Sequence, residues 1–457
     1  MLRSICVLPA LWLLTVQPVL AIEDLDPRFS GDGIAVIDQG DDWPVITCPA
    51  AGGKRLLVNR TGESAITTSR LLDNGQLDPQ FGVAGTAVAA VSTFPSWRYT
   101  PALCRDDGSV WIVSEVPGNG DDRNLRVFAI DANGALQTAF GGAPGGLVNI
   151  DLDQSRPDLS NIEFPRAMIA MPDGGALIVG HVRVTTIGRD RPFVVKLSAQ
   201  GAVQRIAFPE PAGLSESIRA SAAAVGPGGG IWVVGDGYAS GNRAYRMYID
   251  PKNYAVVRTE ISDDSASNVG VSSGVLLRSG VMVVAGTQTP VVGEPAQPRL
   301  FVFRANSNSF TMLPMPNPLP GTAGAGLQVQ ADGNGATLVA VPPDRVVLAM
   351  GVDSFANGDR VRDAGIYVGR AIIGDSIAED RVDTAFGIGG RDGLSVPSGD
   401  PSCSGQTNRQ EHAHVGLWDQ RPLILGRIFG RCSPDSQDDI LLLRLAPADV
   451  LLRNGFE

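Results

Sequence analysis

The chain has 457 residues, with 48 acidic against 37 basic side chains and a formal charge of −11. That balance, without any Lys/Arg-rich run, argues against a nucleic-acid partner and would repel polyanions in general. Beyond the N-terminus no stretch is apolar for long enough to cross a membrane, so a soluble mature chain is expected.

The N-terminus reads as an export signal. Arg3 supplies a short positive segment, Ile5 to Leu14 is almost unbroken apolar, and Val19-Leu20-Ala21 offers the small residues a signal peptidase recognises. Cleavage after Ala21 makes residues 1–21 the signal peptide, and the location is secreted, periplasmic or cell-surface. Cys6 leaves with it, and Cys48, Cys104, Cys403 and Cys432 remain. An even set in an exported chain predicts two disulfides, and the spacing is unlike any zinc motif. Cys48 and Cys104 each fall near the end of an innermost strand in adjacent repeats, and Cys403 and Cys432 belong to one repeat. The expected pairs are therefore Cys48–Cys104 and Cys403–Cys432.

Short β-rich segments separated by Gly, Asp and Asn turns fill the rest, and they repeat with a period of roughly sixty residues. One element opens as "LDPRFSGDGIAV" at Leu25 and recurs as "DNGQLDPQFGVAGTAV" from Asp73, "DANGALQTAFGGAPGGLV" from Asp131 and "RVDTAFGIGGRDG" from Arg381. Its Gly75 and Gly134 suit a tight turn with positive φ, and its Asp26, Asp78 and Asp383 can accept from nearby backbone N–H groups. Its Phe29, Phe81, Phe140 and Phe386 are single apolar anchors in polar connections and are expected to plug the core between strands.

Between these copies lies a hairpin of two apolar strands that closes on Gly or another small residue. It begins at Val45, Pro101, Ala167, Ala220, Ser273, Thr337 and His414. A third strand follows each hairpin, from "SRLL" at Ser69 to "ILLLRL" at Ile440, and then a weaker fourth. Four antiparallel strands per repeat predict an all-β, seven-bladed β-propeller over residues 22–446, with 447–457 as a tail. The last repeat runs out of chain after its third strand. The orphan strand Gly33 to Asp38 should therefore complete that blade and close the ring.

These elements resemble the delta-60 repeat family of bacterial secreted propellers, most closely at Pro172 to Gly180 and Ser69 to Gly85. The units starting near Ala220, Ser273 and Thr337 lack the Leu-Asp-x-x-Phe-Gly part. The resemblance implies a fold and carries no catalytic motif.

Candidate chemistry is sparse. The long connections between second and third strands, Glu115 to Asn124, Val182 to Arg191, Thr287 to Pro298 and Val352 to Ala364, are expected to be binding loops on one face. "EHAH" (Glu411 to His414) places His412 and His414 on one face of an innermost strand if side chains alternate, which makes them candidate binding residues. No metal set, cofactor motif or nucleophile elbow accompanies them. "NRT" at Asn59 fits a glycosylation sequon. The expected function is a monomeric, non-catalytic scaffold for an extracellular ligand or protein. The alternative is an extracellular hydrolase or lyase with a channel-mouth site near His412 and His414.

Overall fold

The computed structural model describes residues 25–37, 42–61, 65–91, 100–118, 122–152, 161–184, 188–226, 228–238, 241–262, 268–289, 297–304, 310–316, 337–342, 344–356, 359–386, 391–394, 409–429 and 439–446. Residues 1–24, Cys403, Cys432, residues 447–457 and the His412 side chain lie outside the described residues.

The described chain is all-β apart from single 3-10 turns. Its strands follow one another as four-stranded antiparallel meanders, of which Asp42–Pro49, Arg55–Thr61, Ala65–Leu71 and Thr86–Ala90 make one. The same order recurs at 102–150, 161–207, 216–261, 268–314 and 337–394. A further set, Arg409–Trp418, Arg421–Phe429 and Asp439–Arg444, takes its fourth strand from Ile34–Ile37, with Ile34 opposite Leu443 and Ile37 opposite Ile440. The first strands of successive units touch in order, and Arg409–Trp418 touches Asp42–Pro49. This is the architecture of a β-propeller.

Each seam between neighbouring units holds an apolar layer. Between 42–90 and 102–150 it contains Leu56, Val58, Ile66, Phe81, Val110, Ile112 and Phe128. The second strands are apolar on both faces because each face meets a seam, which explains runs such as "ALIVG" where alternation would otherwise be expected. Cys48 and Cys104 form the expected disulfide across that first seam, with Cα atoms 5.4 Å apart.

The Leu-Asp-x-x-Phe element is a charged latch. Asp78 accepts from Lys54 Nζ and Arg70 Nε, each at 2.7 Å. Asp383 accepts from Arg370 Nε at 2.7 Å and forms an ion pair with Arg345 at 3.3 Å, and Asp26 accepts from Arg421 at 2.7 Å and forms an ion pair with Arg444 at 3.1 Å. The arginine on the third strand lies over the phenylalanine of the same element, 4.7–4.9 Å from the ring centroid in all three. Lys54 and Arg70, against burial, hold the Asp78 carboxyl down at about 2. In 102–150 the three charged positions are Gln137, Ala129 and Ser109, although the backbone bond from Gln137 N–H to the Ala129 carbonyl remains. Losing all three together avoids stranding a buried charge. Phe140 there meets the edge of Trp111 at 4.9 Å.

The phenylalanine plugs seams between units, not between strands of one unit. Phe29 lies on Gly75 of 42–90, Phe81 on Gly134 of 102–150, and Phe140 on Gly201 of 161–207.

Candidate functional site

The small residue on which the sequence hairpins close lies inside the second strand, at Gly180, Gly235 and Gly286 for example, and it is there for a steric reason. The first strand of most units carries a one-residue bulge, at Pro44/Ile46, Pro165/Ala167, Ala220/Ala222, Val271/Ser273 and His412/His414. The bulge presses a carbonyl of the first strand onto the second: a Cβ at Gly180, Gly235 or Gly286 would collide with the carbonyl oxygen of Phe164, Arg219 or Gly270. Bulges of this kind re-aim side chains at sheet rims.

The next residue along each second strand is where the units differ. It is Arg60, Glu115, His181, Asp236, Thr287 or Arg427, all buried, and Gly351 in 337–394. Each of the six follows an apolar residue of the seam on the same face, so one polar group sits at the rim end of each of those layers. Two of them reach the bulge of the following unit. Asp236 Oδ1 accepts from Val271 N–H at 3.4 Å, and His181 hydrogen-bonds to the Ala220 backbone. Arg427 instead stacks on Trp43 of the next unit, 3.3 Å from the ring centroid, with Arg60 at 5.2 Å from the same ring.

The seam between 161–207 and 216–261 is the richest. Asp190, 1% exposed, accepts from Arg183 Nε at 3.2 Å in its own unit and from Arg219 Nε at 2.7 Å across the seam. Arg189 and Glu216 pair above them at 3.3 Å, both exposed. Below lie two buried groups, His181 beside the Phe164 ring at 5.0 Å and Tyr245 within the apolar layer. His181 Nδ1 and the Tyr245 hydroxyl have no hydrogen-bond partner. Buried polar atoms of that kind call for an explanation, because desolvating them costs about 1–3 kcal/mol each.

Burial, then the fields of Arg166 and Arg219, hold His181 well below its usual value despite the Ala220 bond, with Arg183 adding to the depression. The imidazole is neutral at ordinary pH. Burial pushes Asp236 up to about 6, against the pull of Arg219 and Arg166 and with Asp190 adding to the rise. Burial, and then Asp236, pushes the Tyr245 hydroxyl well above its usual range.

His412 and His414 are less promising. They occupy the first strand of the last unit as expected, but the bulge falls between them. His412 pairs with Gly426 and His414 with the adjacent Leu425, so the alternation that would put both on one face is broken. His414 is half-buried, and burial and then the Arg55 cation hold it down at about 4. Among the described residues no three His, Cys, Asp or Glu side chains are grouped to hold a metal. The second-to-third connections are shorter than the sequence suggests, because strands run on through Glu115, Val184 and Arg189. Asn59 is buried in a strand, which hides the sequon.

The rim position escaped the sequence reading, although aligning the hairpins on their closing small residue exposes it as the next, polar residue.

No protein-family model matches the chain, and no curated protein matches it. Solved structures resemble it at low identity. A protein of unknown function from Dyadobacter fermentans is 13% identical, with 94% of this chain and 100% of that one covered and a TM-score of 0.44. A family PL25 polysaccharide lyase, an ulvan lyase, is 11% identical over 92% and 98%, with a TM-score of 0.49. The Dos1 propeller is 10% identical over 90% and 94%, with a TM-score of 0.40.

Proposed function

We propose that the protein is an exported, seven-bladed propeller of the delta-60 repeat type, closed by its N-terminal strand, and that it acts as a non-catalytic binding scaffold. The pairing of Ile34–Ile37 with Asp439–Arg444 supports the closure and, with the repeated meanders, the blade count. One observation carries the functional reading. The framework positions repeat, as the Asp–Arg–Phe latches do, while the rim position after the closing small residue changes chemistry from unit to unit. A scaffold that only had to stand up would have no use for Arg60, Glu115, His181, Asp236 and Arg427 at equivalent places, each costly to bury. The ligand is therefore engaged at the rim where second strands pass to third strands.

A thermal-shift and NMR screen of sugars, peptides and small acids tests this. The expected ligand loses its effect in Arg183→Ala or Arg189→Ala and keeps it in Asp106→Ala, an exposed turn at the other end of the strands. A ligand that depends on Asp106 and ignores both arginines would overturn the placement. Turnover of a bound glycan would replace the scaffold with the hydrolase or lyase reading.

A further inference from the structure

We infer that the seam where the last unit meets 42–90 holds a seat for one small monovalent anion, of the size of formate or chloride, with Arg55 as its counter-charge. The seat is separate from the rim proposed above, because Arg55 opens the second strand whose far end carries Arg60. The first support is a buried cation that faces no carboxylate. Arg55 is 6% exposed. Its Nη2 donates to the Thr47 carbonyl at 3.0 Å and to Thr47 Oγ1 at 3.3 Å, and its guanidinium lies 6.0 Å from the centre of the Trp418 ring. Nε is buried without a partner, while Nη1 bonds to no described residue and, unlike Nε, is not closed off. The nearest latch has no acid to spare, since Asp78 is held by Lys54 and Arg70. Burial alone brings the guanidinium down to about 10, with no carboxylate opposing it, so it stays charged at neutral pH. The latch arginines Arg370 and Arg444 each face an aspartate, Asp383 and Asp26. A buried cation without one calls for an anion from outside the chain.

The charge is also out of place in the repeat. At the matching position of the other second strands stand Val110, Ala176, Ile231, Met282, Val346 and Pro422, all apolar. The second support is space beside the cation. A Cβ at Gly416, on the innermost strand of the last unit, would sit 3.5 Å from His414 Nε2 and 3.8 Å from Thr47 Oγ1, at ordinary contact distance. The glycine therefore leaves room for a small group between an imidazole and a hydroxyl. Gly416 and His414 are only half-buried, so the recess is reached from the inner wall of the ring and is not sealed in an apolar layer. The groups around it suit an anion. The Thr47 hydroxyl accepts from Arg55 and keeps its own O–H to donate, and His414, held neutral by burial and the Arg55 cation, has a ring N–H to donate. One guanidinium supplies one charge, which matches a monovalent ion, and the room left by one missing side chain limits its size.

The test starts from the full chain in the sodium salt of a bulky sulfonate and replaces that anion with formate or chloride at constant ionic strength. The readouts are the Arg55 Nε–H NMR signal, assigned by its absence in Arg55→Met, and the melting midpoint. The signal should shift saturably with formate, and the midpoint should rise with it. Competition by chloride marks a seat for any small monovalent anion, and its absence narrows the seat to carboxylates. Arg55→Met should lose the formate-dependent rise. Gly416→Ala fills the recess without a clash or a positive φ, so it should fold as the wild type does and bind formate about tenfold more weakly. That variant keeps the test decisive if Arg55→Met does not fold. An Arg55 signal indifferent to both anions would overturn the inference. So would formate affinity unchanged in Gly416→Ala, or an equal rise of the midpoint in Arg55→Met and the wild type.

Discussion

Phe29 lies so close to Gly75 that a Cβ there would come within 2.6 Å of the Phe29 ring. The two residues belong to different units, so the contact links the N-terminal lead-in to the third-to-fourth turn of 42–90. Gly75 also has φ +83, where an L side chain is strained. Gly52, with φ +74, has nothing within 4 Å of its would-be Cβ. Gly52→Ala therefore reports strain alone and should cost about 1 kcal/mol, whereas Gly75→Ala should cost roughly 2 kcal/mol or more. Urea denaturation of both variants separates the terms, and equal losses would mean that the phenylalanine plug contributes nothing.

The latches predict a non-additive set of substitutions. Asp383→Gln leaves the buried Arg370 and the half-buried Arg345 without their carboxylate, at a cost of about 3 kcal/mol. Copying the whole uncharged set of 102–150, as Asp383→Gln with Arg370→Ala and Arg345→Ser, should cost less than the single change. A triple variant that melts below the single one would show that the arginines hold the unit by packing on Phe386 rather than through the charge.

The repeated four-stranded units, the hairpins, the pairing of the N-terminal strand Ile34–Ile37 with Asp439–Arg444 and the first disulfide were all legible in the sequence. Each rests on local chemistry that recurs: apolar strands of fixed length, a Gly turn, one Phe. The arginine partners of Asp26, Asp78 and Asp383 were not legible, because they come from strands with no fixed spacing to the Asp. The bulge was missed for a related reason. It inserts one residue with no compositional mark, and that slip is what separates His412 from His414. Read with unbroken alternation, the innermost strand shows two histidines on one face. The rim residues were hidden because their meaning lies in comparing units, and no single unit marks them.

Asp236 should make stability depend on pH in an unusual direction. Its folded value of about 6 lies above the ordinary 3.8, so between those values the native state holds a proton that the unfolded chain has released. The stability from this group is fully present at low pH and is lost as pH rises through about 6. Asp236→Asn keeps an oxygen for the Val271 N–H and removes the buried charge. It should stabilise the protein by roughly 2–3 kcal/mol at pH 8 and by little at pH 4. Guanidinium midpoints at the two pH values check this, and an equal change at both would mean that burial of the charge is not the cause.

The N-terminal segment is expected to be essential to the last unit. Removing residues 25–38 would expose the edge of Asp439–Arg444, whose Ile440 to Leu443 currently pair with Ile34–Ile37. It would also take Asp26 from Arg421 and from Arg444, a guanidinium that is wholly buried and otherwise bonded to Asp73. Phe29 would leave the edge of Trp418, which it meets at 5.7 Å between centroids. A buried cation, an open strand edge and an empty plug site would then arise in one place, and each alone costs about 2–5 kcal/mol. The truncated protein should melt well below the full chain, and it should be rescued in part by a peptide of residues 25–38 added in trans. The same peptide with Asp26→Asn and Phe29→Ala should rescue poorly. An unchanged melting midpoint after truncation would show that the last unit stands without the N-terminal strand.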